Sequence, residues 1–237
     1  MDSLTFAIIP ALNEEENVEA VIRGIGPAVD RVVLVDNGSS DQTAARAQKA
    51  GADVVSAPER GYGAACFAGI AHSKALGADY LLLLDADGSD DPADAPRLLA
   101  AVRNGNADLA LGTRTRALCE KGAMTFTQRW GNWLAPRLMR LATGARCSDL
   151  PPFKAIRASA LDKLLLTERG HGFTIELLFE AHARGLKVVE LPVRCRVRRG
   201  GKSKVSGTLW GTLQASARII AIIGRRRLKK RETHDTG

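Results

Sequence analysis

The sequence predicts an α/β fold, a mainly parallel sheet flanked by helices, and three observations carry that expectation. Short apolar runs rich in β-formers alternate with longer helical patterns, as in sheets built with crossover helices. The segments between the runs have plausible helix lengths and carry helix-start signals. Polar loops recur after the runs, at the edge where open parallel sheets bind ligands.

Thr5 to Ile9 reads as the first strand. Asn13 follows it and precedes Glu14, Glu15 and Glu16, so it is expected to cap a helix whose first-turn acids suit the positive end of the dipole. Arg31 to Val35 is the second strand; Asp41 or Ser40 then caps a helix over Gln42 to Ala50, which Gly51 ends as a left-handed residue. Ala52 to Ser56 is the third strand. It is followed by Arg60-Gly61-Tyr62-Gly63-Ala64-Ala65-Cys66, whose small residues open a helix and suit close approach by a nucleotide or by a packed backbone. Tyr80 to Leu84 is the fourth strand, Asp91-Pro92 opens the next helix, and Leu109 to Leu111 and Lys187 to Val197 complete the set of strands. Phe126, Trp130, Trp133, Leu134, Leu138 and Leu141 recur at helical spacing that Pro136 should interrupt, a stripe expected to pack on the sheet.

With 237 residues, 45% hydrophobic and 25% charged, the chain suits one globular domain plus a short extension; disorder, collagen and a disulfide miniprotein are excluded. No apolar run approaches the ~20 residues needed to span a bilayer. Asp2 stands where a secretion signal carries positive charge, so a cytoplasmic location is expected. Cys66, Cys119, Cys147 and Cys195 are dispersed, form no C-x-x-C pair, and are read as reduced and packed. Charge is unevenly placed. From Arg194 onward 13 Lys and Arg face 2 acids, a balance of +11, whereas the rest of the chain has 21 against 24 and is slightly acidic.

The feature richest in chemistry is Leu81-Leu82-Leu83-Leu84-Asp85-Ala86-Asp87-Gly88, a buried strand running into two carboxylates. Extended i, i+2 spacing places both on one side of the backbone. There they can hold Mg2+ or Mn2+ against a diphosphate, and the ion would act as a Lewis acid on the leaving group. Val35-Asp36-Asn37-Gly38-Ser39-Ser40-Asp41 lies at the same edge, and Asp36 is the carboxylate suited to accept from a nucleobase or ribose. Capping and turn chemistry also explain Asn13, Asp36 and Asp41.

Taken in order, I-P-A-L-N-E-E, V-D-N-G-S-S-D-Q-T, G-Y-G-A-A, L-D-A-D-G, G-T-R-T, D-L-P-P-F-K and R-R-G-G-K-S-K resemble the family 2 glycosyltransferases. Within them the chain is most similar to the polyprenyl-phosphate and dolichyl-phosphate mannosyl and glucosyl transferases, over roughly residues 4–207. The resemblance implies a GT-A fold, the Rossmann-like architecture of nucleotide-diphospho-sugar transferases, over 1–205; the residue pattern itself reads as an amphipathic helix and basic tail over 206–237. It implies that Pro10, Ala11, Asn13, Glu14, Asp36, Gly63, Asp85, Ala86, Asp87 and Lys204 line the nucleotide-sugar site, with Asp85 and Asp87 at the metal. It further implies that Arg114, Arg129 and Arg198 contact donor or acceptor phosphates, and that Asp149 and, more weakly, Lys154 belong to the site. Asn37 replaces a second Asp, Ser89 replaces a Gln, and Pro151-Pro152-Phe153-Lys154 replaces S-G-F-R.

The implied reaction is an inverting transfer from a GDP- or UDP-sugar to a polyprenyl phosphate. A phosphate monoester has its second pKa at about 6, so such an acceptor arrives as a dianion and needs arginines more than a base. A soluble hydroxyl acceptor would need one, and Glu176 or Asp149 could serve. Nucleic-acid binding is suggested by the basic end alone, with no aromatic-rich motif beside it. Leu209, Leu213, Ile220 and Ile223 share a helical face ahead of Arg225-Arg226-Arg227-Leu228-Lys229-Lys230-Arg231, with Trp210 as an anchor. That pattern fits a helix lying on an anionic membrane at its cytoplasmic face, or one docked on the domain.

Overall fold

The computed structural model describes residues 3–123, 134, 136, 137, 140, 147–198 and 200. Among these, seven strands form one sheet in the order β3-β2-β1-β4-β6-β5-β7. They are β1 (Thr5–Ala11), β2 (Arg31–Asp36), β3 (Asp53–Ser56), β4 (Tyr80–Leu83), β5 (Leu109–Cys119), β6 (Lys154–Arg157) and β7 (Val188–Cys195). β2 and β4 flank β1 in parallel, β3 extends β2 in parallel, and β7 runs parallel to β5. The six expected strands all exist. The order turns outward on both sides of β1, so the ends of β1 and β4 open a crevice at the switch point of the sheet.

Strand residues split by parity into two cores. Phe6, Ile8, Val33, Val35, Leu81 and Leu83 face α3 (Tyr62–Ala75) and, beyond it, Phe173–Ala183. Ala7, Ile9, Leu34, Leu82 and Leu84 face α1 (Val18–Ile25) and α4 (Ala95–Arg103). Strands covered on both sides read as unbroken apolar runs, which is why Leu81 to Leu84 shows no alternation. Further helices are α2 (Thr43–Lys49), α5 (Ala158–Leu161) and α6 (Phe173–Ala183), with Gly51 at φ +93 just past α2 as expected. Asp91 accepts from the Ala93 amide at 3.1 Å and so caps the turn that Pro92 opens; that turn is 3-10 over Pro92–Asp94 before α4 begins.

Two elements depart from the sequence expectation. β6 went unforeseen: it is four residues long, with a Lys and an Arg at its ends, and lies antiparallel between β4 and β5. β5 continues well past Leu111 because Gly112, Thr113 and Arg114 pair with β7, so backbone pairing carries a polar segment that hydrophobicity did not mark. Cys66 and Cys195 are buried, as expected, whereas Cys119 and Cys147 are only partly so. Of the stripe over 126–141 only Leu134 is a described apolar member, helical like Pro136, Arg137 and Arg140 beside it, and the boundary at 205 and the tail 206–237 lie wholly outside the described residues.

Candidate active site

The loops after β1 and β2 are stitched together. Asn13 does not cap α1, which begins at Val18 with Asn17 at its N-cap. Instead Asn13 takes φ 50, accepts from the Ser40 amide at 2.7 Å through its side chain, and donates its own amide to Ser39 Oγ at 2.9 Å. Glu14 donates its amide to Thr43 Oγ1 at 2.7 Å. Asp36 closes β2 and accepts from the Ser39 amide at 3.1 Å, which fixes its carboxylate at the mouth of the crevice. The neighbouring Asn37 is buried in structural work, donating to Glu59 O and accepting from the Gly61 amide, each at 2.8 Å. Asp41 accepts from the Thr43 amide at 3.0 Å, a local turn bond just ahead of α2.

Gly63 is explained by packing. A Cβ there would lie 2.2 Å from Glu168 O, and its amide donates to Gly170 O at 3.1 Å while that of Ala64 donates to Arg169 O at 2.8 Å. The chain's own carbonyls therefore cap α3.

Asp85 and Asp87 leave β4 at the crevice. Asp87 Oδ1 accepts from the Ser89 amide at 2.9 Å, and Ala86 between the two acids is buried. Burial pushes the Asp85 carboxyl up to about 8, with Asp87 and Asp90 adding to the effect and Lys154 and Arg114 opposing it. Asp90 is 2% exposed and neither of its carboxylate oxygens has a hydrogen-bond partner. Burial raises it to about 7 against the pull of Arg114. The buried ammonium of Lys154 faces this cluster, donates to Thr174 Oγ1 at 2.7 Å, and is pushed down to about 8 by burial. A site so short of positive charge, with hard carboxylate oxygens, suits Mg2+ or Mn2+. Among the described residues no three His, Cys, Asp or Glu side chains form a closed metal cage. Asp85 and Asp87 would thus leave coordination positions to a ligand's oxygens and to water, the usual mode for a cation shared with a phosphate.

Arg114 and Asp149 meet as a fork. Arg114 donates Nε to Oδ2 and Nη2 to Oδ1, both at 2.9 Å, and its amide reaches Oδ2 at 3.1 Å; the Leu150 amide also donates to Oδ1, at 2.8 Å. With both oxygens so occupied, Asp149 orients Arg114 and is poorly placed to take a proton. Glu176 accepts from the Thr167 and Glu168 amides at 2.7 Å and from Thr167 Oγ1 at 2.9 Å, so it braces the 167–168 turn.

The end of β7 and the segment after it cross the site. Asp91 and Asp94 dock them: Arg196 Nη2 donates to Asp91 Oδ2 at 2.7 Å and the Arg194 amide to Asp94 Oδ2 at 2.8 Å. Arg198 then places Nη2 at 2.6 Å from both Glu14 oxygens, and Nη1 lies 3.6 Å from Asp87 Oδ2. The structure thus gathers Glu14, Asp85, Asp87, Asp149, Arg114, Arg198 and Lys154 around one crevice, while Arg129 and Lys204 fall outside the described residues. Sequence reasoning missed Asp90 and Asn17. Asp90 was hidden in an acidic run, and Asn17 has no motif to mark it.

A model described as Glycosyl transferase family 2 matches residues 6–165. An uncharacterized glycosyltransferase of Mycobacterium tuberculosis is 39% identical over 214 residues, covering 90% of this chain and 94% of its own. The undecaprenyl-phosphate mannosyltransferase of Micrococcus luteus is 34% identical over 220 residues, covering 86% of this chain and 88% of its own. Among solved structures, glucosyl-3-phosphoglycerate synthase from Mycobacterium tuberculosis in complex with phosphoglyceric acid superposes with a TM-score of 0.75 at 24% identity, covering 94% of this chain and 80% of that one. The same enzyme in complex with Mn2+, UDP and glucosyl-3-phosphoglycerate gives a TM-score of 0.74. These structural likenesses establish a GT-A fold.

Proposed function

The chain belongs to glycosyl transferase family 2, and from that premise we propose that it transfers a sugar, with inversion, from a GDP- or UDP-sugar to a polyprenyl phosphate. The observation that carries this choice of acceptor is the Arg114–Asp149 fork. Asp149, one of the two carboxylates that the sequence offered as a base, is spent on orienting an arginine, and Glu176, the other, is spent on a turn. An acceptor that arrives already anionic needs no base and does need a held cation. The name of the Micrococcus luteus relative supports the same acceptor class.

In this reading Asp36 receives the nucleoside, and Asp85 and Asp87 would hold Mg2+ or Mn2+, which would supply Lewis-acid stabilisation of the departing diphosphate. Arg198, beside Asp87, meets negative charge as it develops on the leaving group, and Arg114, with Arg129 and Lys204, meets the acceptor phosphate. An acceptor oxygen forms the new bond to the anomeric carbon as the bond to the diphosphate oxygen breaks. The tail 206–237 brings the enzyme to the cytoplasmic face of an anionic membrane; no helix among the described residues is long and apolar enough to cross one.

A soluble hydroxyl acceptor is the second reading, favoured by the likeness to glucosyl-3-phosphoglycerate synthase. Radiolabelled GDP-mannose and UDP-glucose, each with Mn2+ or Mg2+ and undecaprenyl phosphate, decide between them. Label in the organic phase, released by mild acid, is the expected result. Label transferred only to water-soluble product would establish the second reading instead.

A further inference from the structure

Arg198 is held by more than its partner. Its Nε donates to Gly200 O at 2.6 Å, curling the segment back on itself, while Nη2 grips Glu14. Asn17, 3% exposed at the N-cap of α1, joins the two: its Nδ2 donates to Glu14 Oε2 at 3.1 Å and to Gly200 O at 3.3 Å. Flipping that amide would turn its oxygen toward two acceptors, so the orientation is fixed by chemistry even though Asn17 Oδ1 is left buried without a partner. Gly200 fits closely, since a Cβ there would lie 1.8 Å from Glu16 Oε2. One amide and one carboxylate from the turn just ahead of α1 thereby bond a segment more than 180 residues away in sequence.

We propose that Asn17 and Glu14 are positioning residues that clasp the segment after β7 onto α1 and hold Arg198 across Asp87, ready for a phosphoryl anion. This rests on the reading of Asp85 and Asp87 as the diphosphate site. A guanidinium is planar, so Glu14 can take one corner while Nη1 stays turned to Asp87. The clasp orders the arginine before substrate arrives, and an oriented cation stabilises developing charge without the entropy cost of being gathered at that moment. The Arg196 amide donates to Ser89 O and the Val197 amide to Glu120 Oε2, both at 2.8 Å, so the backbone is anchored just before Arg198, and the clasp fixes the guanidinium itself.

The test is a double-mutant cycle between Asn17→Ala and Arg198→Ala, read as UDP and GDP affinity in Mn2+ by calorimetry and as kcat/KM for transfer. Each single variant should lose about tenfold in both, and the double should be no worse than Arg198→Ala within about twofold, the mark of residues acting through one another. Gly200→Ala, whose new Cβ would press on the Glu16 side chain, opens the clasp from its other side without removing any of its polar groups, and should match Asn17→Ala while melting like the wild type. Losses that multiply in the double variant, or an Asn17→Ala enzyme within twofold of wild type, overturn the clasp. If the wild type binds neither nucleotide with Mn2+, the diphosphate-site reading falls, and the clasp with it.

Discussion

At the residue scale the site is governed by charge held out of water. If Asp85 and Asp87 hold the cation as proposed, Asp85→Asn and Asp87→Asn each remove a ligand without removing core volume, so transfer should fall by at least about 10²-fold while melting temperature is kept or raised. Assays at saturating Mn2+ with parallel thermal melts check this. The burial of Asp85 and Asp90 gives a second expectation. Asp85 and Asp90 ionise near 8 and 7 in the folded chain against an ordinary 3.8, so the folded state binds more protons across that window. Metal-free stability should therefore decline as pH rises from about 4 to 8. Lys154, depressed from 10.5 to about 8, works in the opposite sense above pH 8. Melts at pH 5, 6.5 and 8 should show the decline, with Asp90→Asn reducing it and Mn2+ abolishing it by supplying the missing charge. A melting temperature that rises over this range without metal would contradict the assignment. Asp85 and Asp87 were plain in the sequence because they end the most apolar strand. The pull of Lys154 on Asp85 was not, because it arises from an antiparallel strand that places Leu83 opposite Lys154.

At the element scale, two docking contacts carry the architecture of the site. The Arg114–Asp149 fork ties β5 to the segment ahead of β6, with side chains 15% and 4% exposed. Arg114→Ala would leave a buried carboxylate unpaired and should cost about 3–5 kcal/mol, measured by denaturant unfolding; Arg114→Lys, which cannot form the fork, should recover only part of it. Gly69 lets α3 lie against the sheet, since a Cβ there would fall 2.4 Å from Ile8 Cγ2. Gly69→Val should destabilise by about 1–3 kcal/mol through forced displacement of the helix, and unchanged unfolding would refute that packing. The alternation of apolar runs and caps made most of these elements legible. The fork was not, because Arg114 and Asp149 are 35 residues apart and each, taken alone, looks like an ordinary charged loop residue.

At the scale of the whole molecule, the uneven charge separates a catalytic body from a basic end. Thirteen Lys and Arg against two acids follow from Arg194 onward. The first of these, Arg194, Arg196 and Arg198, are drawn into the body by Asp91, Asp94 and Glu14. The later cluster 225–231 is the one expected to meet a membrane, where basic residues contribute about 1 kcal/mol each near an anionic surface. Removing 206–237 should abolish salt-sensitive binding to phosphatidylserine-containing liposomes and spare transfer to a short-chain, water-soluble polyprenyl phosphate. Equal liposome binding by the full and truncated chains at low salt would rule out that role for the tail.

By itself the sequence determined the α/β class, the six strands marked by apolar runs, the carboxylate pair at the end of β4 and the family. These rest on local pattern: buried strands must be apolar, and ligand-bearing loops must follow them at one edge. Only the tertiary structure decided what each polar residue does once there. Asn13 joins two loops instead of capping a helix, Gly63 seats a helix against a turn, Asp149 orients an arginine, and Asn17 and Glu14 bond Gly200 and Arg198. The reason is physical: a buried donor or acceptor must find a partner wherever the fold supplies one, and those partners lie tens to nearly two hundred residues away, beyond the reach of any local pattern.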